Sequence, residues 1–99
     1  MNKIISYIGF AIRSGSFIAG QTPLKYSKKQ IYLVLVCDSA SQNLKDLAKN
    51  IANKHGCEYI ITKPKLSSLT KMDDIKIFGI TDENLSNAII MNKEMIEIG

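Results

Sequence analysis

The sequence predicts an α/β fold: one domain over residues 1–99, built as a three-layer α/β/α sandwich around a four-stranded mixed sheet. Three observations predict it. Segments with apolar residues at three- and four-residue spacing alternate with short β-branched or aliphatic runs. The run Ile31 to Cys37 is continuous, too short for a buried helix, and reads as a central strand with both faces covered. Glycines and capping residues fall where the pattern changes. A chain of 99 residues that is 45% hydrophobic can close one core without metal or disulfide staples. The same composition excludes disorder as the default state.

Asn2 can cap a first helix from Lys3, whose face is Ile4, Ile5, Ile8, Ala11 and Ile12. Gly15 stops it, as glycine does just past a helix C-terminus. Ser16 to Ala19 is a short strand closed by Gly20. Thr22 as cap and Pro23 at the first helical position start a helix of about two turns, ending near Lys29. After the strand Ile31–Cys37, Asp38-Ser39-Ala40-Ser41 supplies caps for a helix with the stripe Leu44, Leu47, Ala48, Ile51 and Ala52, stopped at Gly56. Cys57 to Thr62 is a third strand. Lys63-Pro64-Lys65 is a loop, because proline cannot donate in a central ladder. Leu66 to Lys71 is a short helix or turn, and Ile75 to Ile80 a fourth strand. Thr81 or Asp82 caps a last helix with the stripe Leu85, Ala88, Ile89 and Asn92. Lys93 to Gly99 alternates loosely, the pattern of a fraying end or an added edge. The count is four strands and four helices.

Charge is unevenly placed. Residues 1–65 hold ten basic side chains against three acidic, and residues 66–99 three against six. Such asymmetry suits a polyanion partner on one face. It also suits a merely lysine-rich surface. No apolar run approaches the ~20 residues of a bilayer span, and the opening residues are broken by Ser6, Tyr7 and Gly9, unlike a leader. Cytoplasmic residence without membrane contact is therefore expected. Cys37 and Cys57 are too few and too far apart for a zinc knuckle or redox pair, and read as reduced core residues.

Phosphate-cradling glycine fingerprints are absent. Cys37, Asp38 and His55 could form a catalytic set, but nothing local makes the thiol exposed and electropositive. His55, before Gly56, fits a helix-end residue favoured by the dipole. Asp73-Asp74 fits a solvated turn better than a metal site. The expectation is no catalysis, no cofactor, no metal and no small-molecule substrate.

Lys3 to Gly20 resembles the opening of the ribosomal protein family that contains archaeal L-seven-Ae and eukaryotic L-thirty-e, and more closely its small bacterial YlxQ-like branch. There a first helix ends in a basic residue, a small residue and a glycine, here Arg13-Ser14-Gly15, and a short strand leads to a second glycine. Leu33 to Asn43 is similar to the family's second strand and following turn, and Ile77 to Leu85 to its last strand and helix cap. The similarity spans residues 3 to about 90. It implies the same sandwich and RNA binding, often at kink-turns, with rRNA, another structured RNA or the ribosome as partner. By position, Gly20 would let backbone approach RNA, Gln21 and Thr22 would touch tandem G·A pairs, and Lys25 or Lys28 would reach phosphate, with Lys29 on the same short basic stretch of the expected RNA surface. Thr62, Lys63, Lys65 and Ser67 would pack on a flipped-out nucleotide. Gln21-Thr22 stands where kink-turn binders carry Asn-Glu, and the chain between Gly20 and Asp38 is about three residues shorter than the family pattern, which stunts the second helix.

Elementary chemistry points to the same residues. A glycine removes the side chain that would hold a ribose away. Helix N-termini suit phosphate, and irregular RNA is what side chains can read, since the A-form major groove is closed to them. Each feature has a plainer reading: Gly20 as a turn residue, Thr22-Pro23 as a cap, Lys63-Pro64-Lys65 as a solvated loop. A protein-interaction module on the same fold, with a degenerate RNA surface, is the alternative.

Overall fold

A computed structural model describes residues 3–96. In chain order it contains α1 (Lys3–Ser14), β1 (Phe17–Ala19), α2 (Gln21–Lys25), β2 (Leu33–Cys37), α3 (Gln42–His55), β3 (Glu58–Thr62), α4 (Leu66–Thr70), β4 (Ile77–Ile80) and α5 (Glu83–Met91), then a 3₁₀ turn, Lys93–Met95. The strands form one mixed sheet in the order β1-β4-β2-β3. β4 runs antiparallel to both β1 and β2, while β2 and β3 are parallel and joined by the α3 crossover.

The predicted sandwich is present. Alternation along β2 sends Leu33, Leu35 and Cys37 to one face and Val34 and Val36 to the other. The first set packs with Ile4, Ile8 and Ala11 of α1, Leu66 and Leu69 of α4 and Ile89 of α5. The second packs with Leu24 of α2 and Ala48, Ile51 and Ala52 of α3. Every residue of β2 and β4 is buried, as strands covered on both sides must be.

Local chemistry accounts for the helix ends. Gly15, at φ 77°, and Gly56, at φ 66°, take the left-handed turn that closes α1 and α3. Ser41 Oγ accepts from Leu44 N–H at 3.2 Å, and Asp82 Oδ1 from Leu85 N–H at 2.9 Å. The cap expected at Asn2 lies outside the described residues.

Several boundaries move. Leu66–Thr70 is a helix, giving five rather than four. β2 begins at Leu33, not Ile31: β4 ends at Ile80, whose carbonyl accepts from Tyr32 N–H at 2.9 Å, and the ladder stops there. β4 likewise begins at Ile77 rather than Ile75. After α5 the chain turns so that Ile96 is buried and its carbonyl accepts Lys63 N–H at 2.7 Å, beside the end of β3. The remaining tail lies outside the described residues. Among the described residues, no helix is long and apolar enough to cross a membrane.

Candidate nucleic-acid interface

Strand pairing decides which loops share a pole. Ala19 is opposite Phe78, Val36 opposite Ile77, and Cys37 beside Thr62. The ends of β1, β2 and β3 and the start of β4 therefore lie at one end of the sheet. The loops that leave there begin with Gly20, Asp38 and Lys63, and Lys76 leads into β4. Gly20 and Lys63 stand at opposite edges, three strand spacings or roughly 14 Å apart. Lys76 and Asp38 lie between them. Lys76 Nζ is 3.4 Å from Ser39 Oγ, and Asp38 is exposed.

Gly20 has φ 91° and ψ 157°, a conformation open essentially to glycine alone. A β-carbon there would meet nothing closer than Pro23 Cδ at 3.7 Å. The backbone angle, not crowding, requires glycine. Its N–H is used, donating to Ile77 O at 3.0 Å. Gly20 is also the cap of α2, so Thr22 and Pro23 sit inside the first turn rather than at its boundary. Proline is tolerated there because first-turn N–H groups have no helical partner. With five residues and one N–H missing, α2 offers little of the dipole anticipated from the sequence.

The short α2 is held by a slot in the sheet. A β-carbon on Gly79 would lie 2.5 Å from Leu24 Cδ2 and 3.3 Å from Ile31 Cγ2. The bare backbone of Gly79 lets the fully buried Leu24 seat against β4, and this fixes the Gly20 corner.

At the other edge, Thr62 departs from its predicted role. It is fully buried; its hydroxyl donates to Pro64 O at 3.0 Å and lies 3.5 Å from Val36 O. It shapes the loop and cannot touch RNA. Lys63 and Lys65 are exposed, Lys65 as the cap residue of α4, and Ser67 is half-buried in that helix's first turn.

Lys28 and Lys29 do not join this pole. They follow α2 toward the start of β2, where Gln30 Nε2 donates to His55 O at 2.6 Å and Ile31 N–H donates to His55 Nδ1 at 3.1 Å. They belong to the opposite end of the sheet, because the chain must travel its length before β2 begins. The same contacts revise His55. Burial, helped by the Lys54 charge, holds its pKa below the usual histidine value. It is a neutral acceptor rather than a cation on a helix dipole.

Sequence reasoning missed a groove between α2 and α3. Its upper part, about 390 Å³, is lined by Gln21, Thr22, Lys25, Tyr26, Asn43 and Leu47. The lower part, about 500 Å³, shares Lys25, Tyr26 and Leu47 and adds Asn50, Ile51 and Lys54. The signal was present at the edge of the buried stripe, where the exposed Asn43, Asn50 and Lys54 share a helical face with the half-buried Leu47.

Cys37 is buried with its Sγ 3.0 Å from Ser39 Oγ, and burial beside Glu58 pushes the half-buried Cys57 thiol up, away from the reactive thiolate. Among the described residues no cluster of three or more His, Cys, Asp or Glu side chains could hold a metal.

No family model and no curated protein matches the chain. A solved structure of a protein of unknown function from Bacillus halodurans C is similar at 15% identity and a TM-score of 0.76, covering 92% of this chain and 96% of that one. That likeness establishes the fold.

Proposed function

We propose that this chain is a non-enzymatic RNA-binding protein, ribosomal or ribosome-associated, that engages a structured, kink-turn-like RNA at one pole of its sheet. One observation carries the reading: the Gly20–Lys25 corner and the Lys63-Pro64-Lys65 loop leave the sheet at the same end, with Lys76 between them. A bent backbone brings phosphates of two strands close together, and lysines on two edges of one pole suit that shape. The resemblance to the L-seven-Ae and L-thirty-e family supports the same pole. Lys28 and Lys29 are left out of the contact surface.

A second reading, a protein-interaction module, is favoured by Asp38 in the rim, by Asp74 beside Gly20 and Lys76, and by Met91 and Met95, exposed by 80% and 51% in the acidic third. A gel-shift series separates the two. The RNA reading expects a kink-turn duplex to bind at least tenfold more tightly than the same duplex with its G·A pairs replaced. Equal, weak binding of both, with a nuclease-resistant complex in a lysate, favours the protein module.

A further inference from the structure

The α2/α3 groove opens from the same pole, since Gln21 and Thr22 line its upper end. From Asn43 to Lys54 it follows α3 for about 16 Å. Tyr26 stands at its middle, 70% exposed, an unusual position for a large aromatic ring with no core to fill. Lys25 Nζ lies over that ring, 5.8 Å from its centroid. Leu47 and Ile51 give the wall opposite an apolar character, and the carboxamides of Asn43 and Asn50 offer a donor and an acceptor each. Lys54 sits at the lower end. Among the described residues, none lining the groove is acidic.

A flat exposed ring, flanking ammonium groups and carboxamides two turns apart are the parts that bind an unpaired nucleotide. The ring face stacks a base, the cations take phosphate, and an amide meets the base edge. We propose that this groove is a subsite for a single-stranded RNA segment: one base stacks on Tyr26, Lys25 and Lys54 hold the flanking phosphates, and Asn43 or Asn50 reads the base. The proposal rests on the RNA-binding reading and extends it from the pole to this face of the molecule. An apolar peptide would be poorly served by a groove carrying two lysines and two asparagines.

The test titrates a labelled, unpaired oligoribonucleotide of mixed sequence against wild type, Tyr26→Phe, Tyr26→Ala, Lys25→Gln with Lys54→Gln, and Lys63→Glu with Lys65→Glu, each first shown folded by circular dichroism. Tyr26→Phe should bind like wild type, because it keeps the ring. Tyr26→Ala should bind roughly tenfold more weakly or worse. The Lys25→Gln, Lys54→Gln variant should lose affinity and flatten the salt dependence by about 1.4 in log–log slope, two single-strand phosphates' worth. If the groove variants bind as wild type does while Lys63→Glu, Lys65→Glu weakens binding, the subsite is wrong and the pole stands. If wild type binds neither this oligonucleotide nor a kink-turn RNA, both fall together.

Discussion

Ser86 is fully buried on α5, and its Oγ has no hydrogen-bond partner among the described residues. A stranded buried hydroxyl costs about 1–3 kcal/mol, so Ser86→Ala should stabilise the fold by about 1 kcal/mol, read as a higher urea midpoint. The expected stripe of α5 omitted this residue because a serine pattern reads as surface; only packing shows it facing inward. His55 carries a pH dependence. Its folded-state pKa lies below the unfolded value of about 6.5, so the unfolded chain binds the proton more readily. The stabilisation is complete above that value and is lost as the pH falls through the lower, folded pKa. Denaturation midpoints measured from pH 7 to pH 5 should decline, and His55→Gln should flatten the decline. Thr62 is a parallel case: the resemblance implies an RNA contact for it, whereas its buried hydroxyl closes the loop on Pro64.

At the scale of elements, the ends of α1, α3 and α5 were legible because glycine and capping side chains act on their own neighbours. The extent of α2 was not. It depends on Gly79, more than fifty residues away in sequence, whose missing side chain admits Leu24. Gly79→Ala would force that contact, and because Leu24 is buried it has little room to yield. The change should cost about 1–3 kcal/mol, and amide exchange should quicken selectively at Leu24 to Tyr26. Uniform destabilisation with no local effect on α2 would show that the slot does not hold the helix. The separation of Lys28 and Lys29 from Lys63 has a similar origin. Closeness to Lys25 in sequence concealed that α2 ends at once and the chain then runs to the far end of β2.

Over the whole molecule, the strand order turns a sequence-level charge excess into a located one. Three lysines, Lys63, Lys65 and Lys76, collect at the pole that also carries the Gly20 corner, while Lys28 and Lys29 mark the other. The sandwich itself was legible from periodicity alone; the convergence of two loops on one pole required the pairing of β4 between β1 and β2. Asp38 and Asp74 temper that pole, so its attraction for phosphate should rest on few contacts, with a salt slope that scales with their number. The most direct measurement is the affinity for structured rRNA across a salt series, comparing wild type with Lys63→Glu/Lys65→Glu/Lys76→Glu and with Lys28→Glu/Lys29→Glu. Binding at the lysine-bearing pole predicts that the first variant loses at least about tenfold and shows a shallower slope, while the second stays close to wild type. Unchanged binding by the first variant, or an equal loss in both, would contradict it.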